Sequence, residues 1–349
     1  MQTIVVTGGG GFIGSHTCIL LLEKGYRVCV IDSFKNSSPK ALERVSIIYK
    51  QKNMSSTFNL ITFKGDICDK KFLENVFSEI IKNFKKIDGI IHFAGLKAVS
   101  ESIYDPISYW NNNVLGTINL VDILYKFSIY NLVFSSSATV YKQTNKMHTE
   151  ASLMQPINPY GNTKLTIEIL LEDIYKSLKN NFKLASLRYF NPIGAHKSGL
   201  IGENPNGMPN NIFPLIINVA FRQQKKLEIF GNDWPTKDGT PVRDYIHVMD
   251  LAEAHIKILE YLFKKESTYL KINIGTGIAT TVLDLIKTFE KVNKVKVPYV
   301  FSKRRDGDAC YVVADNSLLI SKFKFKLNRN IEDMCKDGWN WKNLNPNGF

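Results

Sequence analysis

The chain has 349 residues, 44% hydrophobic and 22% charged, with a formal net charge of +13 at pH 7, which allows one or two folded domains. Its lysines are scattered, and the basic run 303–305 is followed at once by Asp306 and Asp308, so we expect no nucleic-acid partner. The first residues lack a signal-peptide pattern and no apolar run approaches the roughly 20 residues that span a bilayer, so we expect a cytoplasmic protein with no membrane partner.

Short apolar stretches alternate with helical patterns along the first half of the chain. Strands are predicted at 4–6, 28–31, 60–63, 89–93, 132–134 and 184–189, and helices at 11–23, 70–83, 109–127 and 163–178. This alternation is typical of βαβ units, in which helices cover both faces of a parallel sheet. After Phe190 the pattern loosens, and Gly, Asn and Pro become dense. We therefore predict an α/β fold. A Rossmann-type doubly wound parallel sheet spans 1–190, with short return segments from the C-terminal half, and a smaller, loop-rich C-terminal substrate domain spans 191–349.

The turn after the first strand reads T-G-G-G-G-F-I-G over residues 7–14. Its glycines form a G-x-x-G-x-x-G pattern between a predicted strand and a predicted helix. Glycine permits the tight turn and lets backbone N–H groups approach a pyrophosphate at the helix N-terminus. A flexible turn without a ligand is the alternative interpretation. The pattern favours a dinucleotide site formed by Gly8, Gly11, Phe12, Ile13 and Gly14.

Candidate cofactor contacts also follow the second, third and fourth strands. Asp32 ends the second strand roughly 20 residues past the glycines, where a carboxylate can bind both ribose hydroxyls and repel a 2′-phosphate. Asp32 therefore favours NAD over NADP, although a helix-capping role would also explain it. Asp66 and Ile67 follow the third strand and could reach the adenine. After the fourth strand come Phe93, Ala94 and Gly95.

A tyrosine and a lysine stand four residues apart in N-P-Y-G-N-T-K, residues 158–164. A free tyrosine has a pKa of about 10, so it is a poor base at neutral pH. The ammonium of Lys164 and the positive nicotinamide of NAD would favour the phenolate of Tyr160. Tyr160 then becomes a general acid–base, and Ser137, at the end of the fifth strand, can orient a substrate hydroxyl. A pair on a helix surface is the alternative, which the cofactor pattern disfavours.

Taken together, T-G-G-x-G-F-I-G, S-S-S-A-T-V-Y and P-Y-G-x-T-K resemble the extended short-chain dehydrogenase/reductase family and, within it, the UDP-glucose 4-epimerases. Further motifs in family order extend the resemblance over nearly the whole chain. They are H-F-A-G-L-K-A-V (92–99), L-R-Y-F-N-P-I-G-A-H (187–196), P-N-N-I-F-P (209–214), I-F-G-N-D-W-P-T-K-D-G-T (229–240), V-R-D-Y-I-H-V-M-D-L-A (242–252) and R-R-D-G-D (304–308).

The resemblance implies NAD-dependent inversion at C4 of a UDP-hexose, interconverting UDP-glucose and UDP-galactose through a transient 4-keto sugar. Tyr160 would take the proton of the 4-hydroxyl while hydride passes from C4 to NAD, and Lys164 would hold the nicotinamide ribose. Further contacts with the cofactor are implied for Lys97, Asn113, Ser135 and Phe190. Contacts with the UDP-sugar are implied for Ser137, Tyr160, Asn191, Asn211, Phe230, Arg243, Arg305, Asp308 and Val312.

The chain departs from the family pattern at three places. Val312 stands four residues after Asp308, where the family has a bulky tyrosine that restricts the sugar pocket. We therefore expect some activity on UDP-N-acetylhexosamines. Lys142 replaces a usual glycine and removes no catalytic group. The polar segment 50–57 predicts a surface loop.

Three other functions are compatible with parts of the pattern. A 4,6-dehydratase needs an acid–base pair after the serine of the fifth strand, where this chain has Ala138 and Thr139, which cannot protonate a leaving hydroxyl. A net dehydrogenase would have to release NADH, which the sequence does not decide. A non-catalytic NAD-binding protein could lose Ser137, Tyr160 and Lys164, yet all three are present.

The resemblance also implies a homodimer, with the helices after the fourth and fifth strands packing against their mates. Residues 114–127 and 165–178 are rich in Leu and Ile, as helices buried on a sheet would also be. The five cysteines form no C-x-x-C pair and have no close histidine spacing, so we expect reduced thiols and no metal site.

Overall fold

The computed structural model describes residues 1–52, 59–177, 181–205, 207, 209, 211–305 and 308–349. The chain forms two compact units. The first unit comprises 1–140, 158–188 and 252–272, and the second comprises 141–157, 189–251 and 273–349. The chain thus changes unit beside the predicted boundary at 190, and 252–272 returns to the first unit. Residues 141–157 belong to the second unit, which the sequence pattern did not indicate.

Within the described residues, strands alternate with helices up to residue 189. The elements are β1 (Thr3–Thr7), α1 (Phe12–Glu23), β2 (Arg27–Asp32), α2 (Pro39–Lys52), β3 (Leu60–Lys64), α3 (Lys70–Phe84), β4 (Gly89–His92), α4 (Val99–Tyr104), α5 (Pro106–Tyr109), a π-helix (Trp110–Leu115), α6 (Gly116–Lys126), β5 (Asn131–Ser137), a 3₁₀ turn (Ala138–Val140), α7 (Pro159–Ser177) and β6 (Lys183–Tyr189).

Shorter elements follow in the second half of the chain. They are β7 (Asn191–Ile193), α8 (Ile212–Ala220), β8 (Leu227–Phe230), β9 (Val242–Arg243), β10 (Tyr245–His247), α9 (Val248–Leu262), β11 (Thr268–Ile274), β12 (Thr280–Thr281), α10 (Val282–Asn293), β13 (Tyr299–Ser302), β14 (Tyr311–Val312), α11 (Ser317–Phe323) and α12 (Ile331–Leu344).

A seven-stranded sheet in the order β11-β6-β5-β4-β1-β2-β3 confirms the predicted doubly wound fold. The strands from β5 to β3 pair in parallel. Every residue of β1 and β4 is buried, as expected for strands covered on both faces. Phe77 of α3 and Leu124 of α6 are fully buried in the core over β4 and β5. Because the paired strands run in the same direction, the loops that follow them meet at one edge of the sheet.

Local differences from the predicted elements concern helices. The sequence pattern missed α2 and α4. Helix α2 continues through 50–52, so the loop predicted over 50–57 is wrong there. Residues 53–57 of that prediction lie outside the described residues. Helix α7 begins at Pro159, whose fixed φ and missing N–H suit a first helical position. The helix predicted over 109–127 contains a π-helical turn before α6.

Among its described residues, the second unit has its own core and three small sheets. Strand β10 pairs with β7, β9 lies between β12 and β14, and β13 pairs with β8. Phe213 of α8, Phe289 of α10 and Met334 of α12 are buried in one hydrophobic cluster. The described segments include no helix with the length and apolar character required to cross a bilayer.

Candidate active site

The glycine turn joins β1 to α1 in the first unit. Gly8 has φ +71°, a left-handed conformation that costs glycine little. A Cβ at Gly14 would stand 2.2 Å from the carbonyl oxygen of Gly8, so only glycine lets the helix approach the turn this closely. Gly11 caps α1 without a side-chain hydrogen bond, and no acidic residue lies in the first turn. The turn therefore presents backbone N–H groups that suit an anion. Phe12 and Ile13, in this turn, are half-buried.

Asp32 ends β2 beside the glycine turn. Its carboxylate accepts hydrogen bonds from the N–H of Gly10 and of Phe34, each over 2.8 Å, and from the hydroxyl of Ser37 over 2.9 Å. The side chain therefore ties the loop after β2 to the glycine turn. It is buried at the carboxyl end of the sheet, where the sequence predicts a ribose contact.

Asp66 follows β3, and its carboxylate accepts from Lys35 Nζ over 2.6 Å and from the N–H of Cys68 over 2.9 Å. Partial burial acts to raise the pKa of this carboxyl, but the hydrogen bonds from Lys35 and Cys68 hold the pKa below its usual value. Lys35 was missed by the sequence analysis because no motif marks it. Ile67 is buried, and a Cβ at Gly116 of α6 would stand 2.6 Å from its Cδ1.

The loop after β4 closely approaches the glycine turn and α7. A Cβ at Gly8 would stand 2.6 Å from the backbone nitrogen of Ala94. A Cβ at Gly95 would stand 3.1 Å from Asn113 Oδ1 and 3.7 Å from Lys164 Nζ. Gly95 therefore leaves space between the amide and the ammonium. In the same loop, the ring of Phe93 lies 4.7 Å from the ring of His255. Lys97 of this loop is exposed.

Asn113 is placed by the π-helical turn. Its Oδ1 accepts from the N–H of Leu96 over 2.7 Å, and its Nδ2 donates to the carbonyl oxygen of Leu96 and to the hydroxyl of Thr163, each over 3.1 Å. The buried amide thus joins the loop after β4 to α7. Isolated π-helical turns occur frequently at functional sites, which fits the predicted cofactor contact.

Tyr160 and Lys164 lie on the first two turns of α7. Lys164 Nζ donates to the carbonyl oxygen of Ser135 over 2.7 Å, and it lies 5.8 Å from the centroid of the Tyr160 ring. Burial lowers the pKa of Lys164 to about 8, while the carboxylate of Glu168 acts to raise it. At neutral pH most of Lys164 is therefore still an ammonium, which is the state that favours a tyrosine phenolate.

Ser137 closes β5 and is 7% exposed. Its hydroxyl accepts from the N–H of Thr139 over 3.2 Å and from the Thr139 hydroxyl over 3.0 Å. These bonds leave the Ser137 hydroxyl its own proton to donate. The structure thus brings Ser135, Ser137, Tyr160 and Lys164 to the junction of β5 and α7, together with Asn113 and Gly95.

A second group of predicted residues gathers in the second unit. Arg305 Nε lies 3.1 Å from Asp308 Oδ2, and its guanidinium carbon lies 4.3 Å from the centroid of the Phe230 ring. Val312 pairs with Arg243 between β14 and β9. Arg243 Nη1 donates to the carbonyl oxygens of Val242 and Ala309, each over 2.9 Å. These contacts place two guanidiniums, a carboxylate and an aromatic ring around the β9–β14 pair.

The remaining predicted residues of the second unit stand on other elements. The backbone N–H of Asn191, at the start of β7, donates to the carbonyl oxygen of Asp244 over 3.0 Å. Asn211 precedes α8 and its amide donates to Glu203 over 3.3 Å. Phe190 is 6% exposed, with its ring 6.4 Å from that of His148. Asn210, Asp306 and Gly307 of the family motifs lie outside the described residues.

Asp244 is a supporting residue that the sequence analysis missed. It follows Arg243, is fully buried, and accepts from Thr276 Oγ1 over 2.6 Å and from the N–H groups of Thr276, Gly277 and Ala314. Burial raises the pKa of this carboxyl although the hydrogen bonds oppose the shift. The carboxylate fixes the backbone that carries Arg243. Its position within V-R-D-Y was the available signal.

The chain matches a known family model over most of its length and UDP-glucose 4-epimerases over its whole length. A sequence model of the GDP-mannose 4,6 dehydratase family matches residues 5–338. The UDP-glucose 4-epimerase of Bacillus subtilis (strain 168) is 45% identical over 350 residues, covering 100% of this chain and 99% of that protein.

Two solved structures of UDP-glucose 4-epimerases have the same fold. The enzyme of Stenotrophomonas maltophila, with bound NAD and formylated UDP-arabinopyranose, has a TM-score of 0.92 at 39% identity and covers 99% of this chain and 98% of that one. The enzyme of Bifidobacterium longum, in complex with NAD+ and UDP, has a TM-score of 0.91 at 41% identity, with both chains fully covered. Because relatives of this name match it from end to end, the chain belongs to the UDP-glucose 4-epimerase family of the extended short-chain dehydrogenases/reductases.

Proposed function

We propose that this protein interconverts UDP-glucose and UDP-galactose by inverting C4 of the hexose, with NAD as cofactor. The observation that carries the proposal is the buried Lys164 ammonium beside the Tyr160 ring, in the unit that also holds the glycine turn. The relatives named above support the same substrate class.

The residues of the first unit fit a dinucleotide. The close approach of Gly14 to Gly8 leaves a turn without Cβ atoms at the N-terminus of α1, and the pyrophosphate would bind there. Asp32 would bind the adenosine ribose, and its negative charge favours NAD over NADP. Asp66 and Ile67 would border the adenine. Toward the nicotinamide we assign Phe93, Ala94, Gly95, Lys97, Asn113, Ser135, Tyr160 and Lys164.

Three side chains of the first unit perform the proton chemistry. When bound, NAD supplies an acceptor for the hydride of C4. Tyr160, as phenolate, takes the proton of the 4-hydroxyl. It returns the proton after the 4-keto sugar has rotated in the site, as the hydride would return to the opposite face of C4. Lys164 keeps the phenolate accessible near neutral pH, because its ammonium stabilises the negative charge. Ser137 donates to the substrate oxygen and orients it.

The second unit holds the UDP group. Arg243 and Arg305 pair with diphosphate oxygens, since a guanidinium fork matches phosphate geometry. Asp308 accepts from ribose hydroxyls, and the ring of Phe230 stacks on the uracil. Asn191 and Asn211 donate amide hydrogens to the sugar diphosphate. Strong binding of UDP allows the hexose itself to be held loosely. Loose binding is required because the keto sugar has to rotate within the site.

A dehydratase activity is the second candidate, because the matching family model carries that name. That chemistry needs a general acid next to Ser137. Ala138 and Thr139 occupy the 3₁₀ turn there, and the Thr139 hydroxyl is bound to Ser137. Neither side chain ionises near neutral pH, so epimerisation is favoured.

We also propose that UDP-N-acetylhexosamines are substrates. Val312 is half-buried on β14, paired in register with Arg243. At this position valine leaves space that a tyrosine ring would fill. The N-acetyl group would occupy that space beside the diphosphate-binding guanidinium.

A homodimer is supported by apolar side chains on one run of helices. Tyr104 is 89% exposed and Ile107 72%, and Ile118, Tyr125 and Ile169 are between 43% and 57% exposed. Leu120 and Leu124 of α6 are buried in the core against the sheet. The leucines of 114–127 therefore also stabilise the fold of the single chain. A second copy covering α4 to α7 would remove this surface from water.

The test of the activity is direct. Purified protein is supplied with UDP-galactose, with and without added NAD, and UDP-glucose is measured afterwards with a coupling dehydrogenase. We expect conversion, with release of no stoichiometric NADH. A folded protein that binds nucleotide but converts none of the sugar would contradict the proposal and favour a non-catalytic role.

A further inference from the structure

Glu168 and Arg188 form an ion pair that solvent does not reach. Arg188 Nη2 lies 2.6 Å from Glu168 Oε2, and Arg188 Nε lies 3.0 Å from Oε1. The side chains of Arg188 and Glu168 are 0% and 1% exposed. Neither residue belongs to the proposed cofactor or substrate set. The two charges are buried, away from water, in the unit that also carries Tyr160 and Lys164.

Stability does not explain such a pair. Moving two charges from water into a protein interior is costly, and apolar residues of similar volume often replace a buried ion pair without loss. Arg188 on β6 could be replaced in this way if its only task were to hold α7 on the sheet. The pair therefore calls for a function that needs charge at this position.

The position of Glu168 indicates that function. It follows Lys164 by four residues, as Lys164 follows Tyr160, so the three side chains rise along one side of α7. Glu168 Oε1 also accepts from the hydroxyl of Ser136 over 2.5 Å. The neighbouring Ser135 holds Lys164 by its carbonyl oxygen. Consecutive residues of β5 are thus joined to consecutive turns of α7.

We propose that Glu168, charged and paired with Arg188, is the positioning residue of the Tyr160–Lys164 pair. This inference rests on the proposed function. The carboxylate stands one helical turn from the Lys164 ammonium and stabilises its charge. Through Ser136 it also fixes the register of α7 against the end of β5, where Ser137 faces the substrate.

The other groups around these side chains leave Glu168 as the main electrostatic influence. Burial, with a smaller contribution from Lys164, lowers the pKa of His92 to about 3, so this imidazole is neutral near pH 7. Burial raises the pKa of Tyr109 and of Tyr269 beyond the working range. Apart from burial, the carboxylate of Glu168 acts on the pKa of Lys164, and this carboxylate is paired with Arg188 on β6.

The first measurement is the pKa of Lys164, obtained by carbon-13 NMR titration of lysine ε-carbons. The resonance is assigned by its loss in Lys164→Arg. In Glu168→Gln we expect this pKa to fall by about one pH unit, because a nearby opposite charge is removed. The high-pH decline of kcat should move to lower pH by the same amount.

Three further variants separate charge from packing. Glu172→Gln removes the carboxylate one turn further along α7, which pairs with Lys271 and Lys176 at the surface, and should leave both readouts unchanged. Glu168→Asp keeps the charge but shortens the reach, so the Lys164 pKa should stay near its wild-type value while kcat falls. Glu168→Gln with Arg188→Met removes both charges of the buried ion pair and is the alternative should Glu168→Gln fail to fold.

The outcomes are distinct. If the pKa of Lys164 is unchanged in Glu168→Gln or in the double variant, Glu168 does not stabilise the charge of the Lys164 ammonium. If Glu168→Asp retains the wild-type kcat, Glu168 does not position α7 against the end of β5. A wild-type protein that converts no UDP-sugar overturns the proposed function, whereas the NMR titration still decides whether Glu168 sustains the charge of Lys164.

Discussion

Lys164 Nζ donates to the carbonyl oxygen of Ser135 over 2.7 Å, and this bond joins the helix that carries Tyr160 to the strand that ends at Ser137. The bond uses one of the three N–H donors of the ammonium and leaves two for other acceptors. It also fixes the ammonium in a buried position, where its charge acts strongly on neighbouring groups.

Replacing Tyr160 by Phe should remove the general acid–base and leave the fold intact. We expect kcat for UDP-galactose to fall by roughly 10²- to 10⁴-fold, the range typical for loss of a positioned acid–base group. The coupled assay measures kcat, and tightly bound nucleotide is quantified after denaturation. Replacing Tyr175, on the last turns of the same helix, by Phe serves as the control. Near-wild-type turnover by Tyr160→Phe would show that another group moves the proton.

The stability of Lys164→Met should depend on pH in a defined direction. Burial lowers the pKa of Lys164 from 10.5 to about 8, so the folded state binds fewer protons than the unfolded state between these values. Stability of the wild type therefore rises with pH from about 8 to about 10.5, and the burial cost of the ammonium is fully present below pH 8. At pH 7 we expect Lys164→Met to be more stable by about 2 kcal/mol, and to be inactive.

Urea unfolding of nucleotide-free protein at several pH values checks this prediction. The advantage of Lys164→Met should shrink as the pH rises from 8 toward 10. Lys176→Met changes an exposed lysine of the same helix and should show no such trend. An advantage that stays constant with pH would contradict the assigned pKa.

Two adjacent arginines should differ in their effect on UDP binding. Arg305 lies over Phe230 and pairs with Asp308, whereas Arg304 lies over Trp234 and pairs with Asp233. Because charge-assisted bonds to phosphate are strong, Arg305→Ala should weaken UDP binding by about tenfold to 100-fold. Arg304→Ala, the matched control, should change it by less than about threefold, since exposed ion pairs contribute little. Isothermal titration calorimetry with UDP measures both, and equal losses would refute the assignment of Arg305.

The sugar pocket should respond to the size of residue 312. In Val312→Tyr we expect turnover of UDP-N-acetylgalactosamine to fall by roughly tenfold or more relative to UDP-galactose, because the ring removes the space for the N-acetyl group. Val312→Ala is the control and should retain both activities. Parallel assays with the two sugar nucleotides give the ratio of kcat/KM. Failure of the wild type to convert the N-acetylated sugar, with UDP-galactose turnover intact, would disprove the proposal.

The exposed apolar helices of the first unit should support a dimer. A charge at Ile107, in Ile107→Glu, should convert the dimer to monomer, because burying an unpaired carboxylate in an apolar interface is unfavourable. Ile278→Glu places the same charge on an exposed residue of the second unit and should leave the dimer unchanged. Sedimentation velocity gives the masses. A monomeric wild type would rule out the predicted homodimer.

The sequence by itself determined the features whose causes are local. The glycine turn at 8–14, the strands up to Tyr189 and the Tyr160–Lys164 spacing could all be predicted. Strand periodicity, helix periodicity and the need for glycine in a tight turn act over a few residues. The site residues assigned from the family motifs remain predictions, although those of β5 and α7 lie together in one unit.

Only the tertiary structure decided the features that depend on distant partners. The π-helical turn that aims Asn113 at Leu96 and Thr163 is a local irregularity inside an otherwise helical pattern. Segment 141–157 joins the second unit through Tyr141, whose hydroxyl donates to Asn273 over 2.6 Å. The pairing of Glu168 with Arg188 joins a helix to a strand 20 residues away. Neither partner marks the other in the sequence, because side-chain pairing across a core follows from the packed geometry rather than from spacing along the chain.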